Sequence, residues 1–456
     1  MLTYNLEDRN CSIYYYLYEC IKSDIETGKI EADVKLPSKR TLAEHLKISV
    51  VTVQNSYAQL LSEGYIYTKE RSGYYAAFIQ NKPNSKPVQN KLEQHEKADN
   101  YKINFCQNTA QPDTFPFSVW SRQMREVLNE NRELLLSKMS NKGLFALQKS
   151  ISDFLYRFRG MRILPCQIII GAGTEYLYSL LVKLLGNDMT YAVEDPGYKK
   201  IAYIYKMEQA KCAYIPIDKD GLRIKELEES HADIVHISPN HHFPSGRVMP
   251  ITRRRELLSW AQNLDNRFII EDDYDSEFRF VGKAIPTLQS IDNGQNVIYM
   301  NTFSKTISPA IRISYMVLPM PLLQKYDMKL NGYSCTVSSF EQLTLAKFIE
   351  NGFFERHINR MRKSYKQKRD ILIFEIKSAL GNRAQIEEEH SGLHFILRVN
   401  SKLSDEELVK KAAKSGIKIS TLGEYCFKSP VPPGRIIINY SALPMEELKP
   451  AAAALA

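Results

Sequence analysis

At 456 residues the chain exceeds one ordinary domain and can bury a large core, so at least two domains are expected. Its 44% hydrophobic and 25% charged residues describe a globular protein, and its longest apolar stretches, such as 177–185, stop well short of a membrane span. The net charge of +9 permits nucleic-acid binding without demanding it, because residues 1–78 carry nine Lys and Arg against ten Asp and Glu. The seven cysteines are scattered and odd in number, with no secretory leader before them, which fits reduced thiols in a cytoplasm. No CxxC or Cys/His ligand spacing occurs, and the pair His241-His242 alone is a poor zinc site, so no metal is expected.

The first element is an apolar-periodic helix over 12–25. Leu36-Pro37-Ser38 breaks the chain and caps a short helix over 39–46, and Ser49 caps a third. From Val50 to Glu63, residues Val53, Tyr57, Leu60 and Leu61 repeat at helical spacing and leave Thr52, Gln54 and Asn55 outward before Gly64 ends the helix. That is the pattern of a recognition helix. Residues 65–78 alternate around Glu70-Arg71-Ser72-Gly73, a hairpin whose tip carries Lys69 and Arg71 as a wing would. Residues 79–100 are polar, carry two prolines and lack an apolar period, which marks a flexible tether.

These N-terminal residues resemble the GntR-type winged helix. Its pattern is met by Gly28, Leu36-Pro37-Ser38-Lys39-Arg40, Leu42-Ala43, Ser49-Val50-Val51-Thr52-Val53 and Glu63-Gly64. The resemblance implies that Arg40, Ser49, Thr52 and Gln54 face DNA, with Arg40, Lys69 and Arg71 on phosphate and Thr52 and Gln54 at base edges. Val50 stands where the family often has arginine, and a methyl contact to thymine is the replacement it offers.

Beyond residue 100, short apolar runs (167–170, 190–193, 233–237, 267–270, 297–300) alternate with longer amphipathic ones, which implies an α/β domain with a mostly parallel sheet. Ligands of such sheets gather at the carboxyl ends of strands, and the chemistry-bearing residues fall there. Gly171-Ala172-Gly173-Thr174 follows one strand and opens a helix over 175–185, a cradle for phosphate. Another strand delivers Asp272, able to hold a proton on a pyridinium nitrogen, and Tyr274, able to reach a ring oxygen. The next delivers Thr302, Ser304 and Lys305, a lysine that can lose its proton in a confined site and attack an aldehyde, with Arg312 opposing the phosphate. Residues 451–456, Ala-Ala-Ala-Ala-Leu-Ala, read as an appended tail.

Residues 101–450 resemble the aspartate-aminotransferase fold, fold type I of the pyridoxal 5′-phosphate enzymes. With the winged helix in front, the whole chain resembles the MocR/GabR-like transcription regulators. By that resemblance Lys305 would bind the cofactor covalently, Asp272 would hold its ring nitrogen and Tyr274 its ring oxygen. Gly173, Thr174, Thr302 and Arg312 would hold its phosphate, Tyr198 would stack on the ring, and Arg435 would clamp an effector carboxylate. Phe243 stands where aminotransferases have an asparagine touching the ring oxygen, a contact that is lost or passed to His242, and 137–143 lacks a tyrosine they commonly send across the dimer. The implied function is transcriptional regulation by aldimine exchange at Lys305 with an amino compound, or by pyridoxal phosphate itself. It belongs to a homodimer on paired operator half-sites with no membrane partner. An active aminotransferase is the alternative.

Overall fold

The computed structural model describes residues 2–5, 11–79, 101–108, 114–282, 285–292, 295–390 and 392–456. The expected tether over 79–100 therefore lies, Ile79 aside, outside the described residues. The chain divides into two compact units, Met1–Lys97 and Ala98–Ala456.

In the N-terminal unit, α1 (Ile13–Glu26), α2 (Lys39–Leu46) and α3 (Val50–Ser62) precede a hairpin of β1 (Ile66–Lys69) and β2 (Gly73–Ala76). Local chemistry sets these boundaries. The Ser38 and Ser49 hydroxyls accept from the N–H groups of Thr41 and Thr52, satisfying donors that a helix start leaves free. Gly64, at φ +78°, turns the chain out of α3 into the hairpin. Leu17, Ile21, Leu42, Val53, Tyr57 and Leu60 form the core. Leu61, read as inward, is 41% exposed. Ser56 takes the inward place instead, because its hydroxyl can donate to the Tyr14 and Thr52 carbonyls and so be buried at little cost.

In the C-terminal unit, β3 (Ile103–Asn104) is followed by β4 (Ile168–Gly171), β5 (Thr190–Asp195), β6 (Lys211–Asp218), β7 (Gly221–Leu222), β8 (Ile234–Ile237), β9 (Phe268–Asp272), β10 (Val297–Thr302) and β11 (Ser314–Val317). Among the described residues, eight of these form one sheet in the order β4-β11-β10-β9-β8-β5-β6-β7. Its centre, β10 through β6, is parallel, while β11 runs antiparallel to both neighbours. Alternate residues feed opposite faces. Ile298 and Met300 join Leu177 and Leu181 on one side, and Tyr299 joins Leu147 and Phe348 on the other. Burial on both faces is why these strands read as continuous apolar runs. Three of them run past those runs, β5 to Asp195, β9 to Asp272 and β10 to Thr302, so polar side chains sit at buried strand ends.

A second, antiparallel sheet joins β12 (Ala384–Glu387), β13 (His394–Val399), β16 (Arg435–Asn439) and β15 (Ser420–Thr421). One face packs on the long helix Phe353–Leu380, and β14 (Ile417–Lys418) pairs in parallel with β3. Of residues 451–456, read as an appended tail, 451–454 complete the helix Leu448–Ala454, and Ala451 and Ala452 are buried in the core of this smaller sheet, where a small side chain permits close helix packing.

Candidate cofactor and DNA-binding sites

The phosphate cradle forms where β4 meets the helix Thr174–Leu185, which begins one residue before the expected Glu175. Gly173 caps it at φ +91°, and a Cβ there would lie 2.6 Å from Arg312 Nη2. Glycine thus lets the guanidinium lie against the backbone at the positive end of the helix. Arg312 itself is left-handed at φ +49°, a costly conformation for a side chain with a Cβ, and its Nη2 is 4.0 Å from a Glu175 carboxylate oxygen. Thr302 is brought to the same end of the sheet but turns inward: its hydroxyl accepts from Ser314 and from the Ser304 N–H. It holds the turn that carries Lys305 instead of facing the cradle.

Asp272 ends β9, buried. Its Oδ2 accepts from the Tyr178 phenol and lies 3.5 Å from His236 Nε2, while Oδ1 has no hydrogen-bond partner among the described residues. Tyr178 lies one turn into the helix that Thr174 opens, which links the expected cradle to the carboxylate. The Tyr274 phenol hydrogen-bonds His241 Nδ1 at 3.0 Å, and the same nitrogen lies 2.9 Å from Asp275. Burial first, then Asp275 and Asp272, holds the Tyr274 hydroxyl well above the usual phenol range. The histidine that meets Tyr274 is His241, not His242. His242 turns to Ser245 and approaches Glu194 at 3.5 Å, and burial pushes it down to about 3, which keeps it neutral. Phe243 meets Tyr198, His394 and Tyr425 edge-on. Tyr198 caps the helix Lys199–Met207 and stays partly exposed, as a ring-stacking side chain must.

Lys305 donates to the Asn108 carbonyl at 3.2 Å. Burial pulls its proton affinity down, partly offset by Asp275. That is the environment in which a lysine becomes a nucleophile near neutral pH. Among the bonds and ion pairs of the described residues, Arg435 contacts none of these groups. It opens β16, four residues before Asn439, with Nε 3.4 Å from Glu387 and Nη1 donating to the Pro432 carbonyl. Buried Ile437 occupies the intervening position on the same sheet face. Tyr178, His236, His241 and Asn108 had no signal in the linear sequence, because each lies 30 to about 200 residues from the group it touches.

On the N-terminal unit, Arg40, Ser49, Gln54, Lys69 and Arg71 are exposed and Thr52 is half-buried. Ser49 and Thr52 share a 2.7 Å hydroxyl contact, so both also serve as the cap of α3. Lys69 lies 4.5 Å over the Tyr75 ring, which stiffens the hairpin, and Arg71 holds the tip at φ +56°. Val50 and Val51 are exposed at the first turn of α3.

The core residues fit pyridoxal phosphate. A buried carboxylate oxygen without a hydrogen-bond partner among the described residues suits a protonated ring nitrogen, and a helix N-terminus beside Arg312 suits a phosphate. Residues 100–455 match the family "Aminotransferase class I and II", and residues 13–75 match "Bacterial regulatory proteins, gntR family". The chain is 40% identical over 413 residues to the HTH-type transcriptional regulator YdeL of Bacillus subtilis, covering 89% of this chain and 88% of that protein. It is 28% identical to the rhizopine catabolism regulatory protein MocR of Rhizobium meliloti, covering 94% and 90%. The crystal structure of an archaeal alanine:glyoxylate aminotransferase superposes with a TM-score of 0.70 at 22% identity over 77% of this chain and 89% of that one, a likeness of fold. No helix among the described residues is long and apolar enough to cross a membrane.

Proposed function

The chain belongs to the MocR-like transcriptional regulators, in which a gntR-family DNA-binding domain is joined to an aminotransferase class I and II domain that uses pyridoxal 5′-phosphate, and we propose that it senses an amino compound at Lys305. The observation that carries this reading is a half-buried lysine, its proton affinity lowered, in the turn after β10, the strand next to one ending in a carboxylate whose Oδ1 has no hydrogen-bond partner among the described residues. When bound, the cofactor supplies an electrophilic carbonyl carbon for which Lys305 and a free amine compete. Asp272 would keep a proton on the ring nitrogen, Tyr274, oriented by His241, would face the ring oxygen, and Tyr198 would cover the ring. Gly173, Thr174 and Arg312 would hold the phosphate, with Thr302 bracing the turn. A carboxylated effector would have to draw Arg435 away from Glu387, so that arginine is the weaker half of the proposal.

Sensing demands less than turnover. Lys305 must give up one amine for another, and the small sheet must hold the two outcomes differently, since a ligand shifts an equilibrium only through unequal affinity for its states. The protein acts in the cytoplasm as a homodimer, and its two readers engage paired half-sites. Arg40, Lys69 and Arg71 lie on phosphate, and Ser49, Thr52 and Gln54 at the groove. The test is Lys305→Ala in the full chain. Loss of both the bound-cofactor absorption and the effect of amino compounds on operator binding is expected, and retention of both would sink the reading.

A further inference from the structure

The segment that enters the C-terminal unit from the tether runs past the site lysine, and its bonds are specific. Ile103 pairs with Ile417, and Phe105, fully buried, receives the Asn439 side-chain amide at 2.8 Å and the Asn439 N–H at 3.1 Å on its carbonyl. Three residues on, the Asn108 side-chain oxygen accepts from the Ser441 hydroxyl at 3.0 Å, while its backbone carbonyl accepts from Lys305 Nζ at 3.2 Å. The Ser441 carbonyl is held at 3.0 Å by Lys368, a lysine of the long helix. One asparagine therefore touches the site lysine with its main chain and, with its side chain, the turn that follows β16.

Lys305 cannot direct its nitrogen at a cofactor carbon and keep the same bond to Asn108. A half-buried carbonyl that loses its donor either finds water or moves, and the cost of leaving it unmet is on the order of 1–3 kcal/mol. We infer that Asn108 is a positioning residue that reads whether the Lys305 amine is free, and that it passes the change to the segment 101–108. The inference rests on the proposed role of Lys305.

Hydrogen exchange of peptides covering 101–108 in the full-length protein, with and without pyridoxal phosphate, tests this, with cofactor absorption recorded on the same samples. Loading is expected to speed exchange there about tenfold, as a local anchor is released. Asn108→Ala and Ser441→Ala should show the fast exchange before loading and no further rise after it. Asn108→Asp, which keeps a side-chain acceptor for Ser441, should restore the response. If absorption appears and exchange in 101–108 stays unchanged, the coupling is refuted while Lys305 keeps its role. If the alanine variants start fast yet still respond fully to loading, Asn108 is an anchor only and the inference fails. If no absorption appears even in the native chain, the reading of Lys305 falls and takes this inference with it.

Discussion

The two units handle polarity in opposite ways. In the N-terminal unit, apolar side chains fill the interior and the residues assigned to DNA are exposed, save the half-buried Thr52. In the C-terminal unit the functional groups are interior: Asp272, Asp273, Asp275, Glu271, Glu277, His236 and His241 are all buried around the strand ends. A surface that meets phosphate needs charge kept hydrated until the partner arrives, whereas a site that changes a lysine's reactivity needs water removed. The difference teaches that a reader can be built by spacing alone, while a reactive site requires stability to be given up locally.

The sharpest way to separate the units is Lys305→Ala, which should abolish cofactor absorption while leaving the unfolding of the N-terminal unit unchanged. Next, Arg159→Ala would strand Asp273, now paired to it at 2.6 Å and also bound by Tyr299 and Asn240. Breaking such a buried pair should cost the core about 3–5 kcal/mol in denaturant unfolding, with no counterpart in the reader. A change smaller than 1 kcal/mol would mean water reaches that site.

Acid and base should then act on the units in opposite directions. Burial pushes Glu194 up to about 8 and Glu271 to about 7, and moves Glu277 the same way. The folded core thus holds protons that the unfolded chain releases above its ordinary carboxyl value near 4.5. Its stability is full below that value and is lost progressively as pH rises through 7 to 8. In the reader, Glu63 is held below its ordinary value, first by the Tyr18 hydroxyl and then by Gln59, so its contribution is present at neutral pH and lost on acidification. Unfolding curves of the full chain at pH 5 and pH 8 check both signs; a core more stable at pH 8 would contradict this account.

How much was legible follows the same division. In the reader, helix caps and the Ser49-Thr52 spacing lie within one turn of each other, so the sequence marks them directly, and only Leu61 was misread, because Ser56 competes for its place. In the core, the strands carrying Asp272 and Lys305 and the glycine turn were readable from periodicity and punctuation. The antiparallel β11, inserted between β4 and β10, was not, since nothing local distinguishes it from a parallel strand. Nor were Tyr178, His241 and Asn108, whose partners are brought by tertiary folding. Arg435 matched a motif, but its contact with Glu387, which lies on β12 across the intervening β13, carried no signal in the sequence.

The smaller effects belong to the reader. Ser49→Ala should destabilise that unit by about 1 kcal/mol through loss of the cap. Arg40→Ala should weaken operator binding nearly uniformly across sequences and lower the salt slope by about 1, whereas Gln54→Ala should relax base preference instead. Equal effects of the two on sequence preference would dissolve the division between phosphate and base contacts.

The central claim is that the core senses and the reader responds. We would reconstitute the full-length protein with pyridoxal phosphate and titrate it with a panel of amino acids and amines. Absorption, operator binding and keto-acid release would be recorded on the same samples. The account expects one compound to give a persistent spectral shift with a matching change in operator affinity and no accumulation of keto acid. Repeated release of keto acid with operator binding unchanged would contradict it and make the core a working aminotransferase.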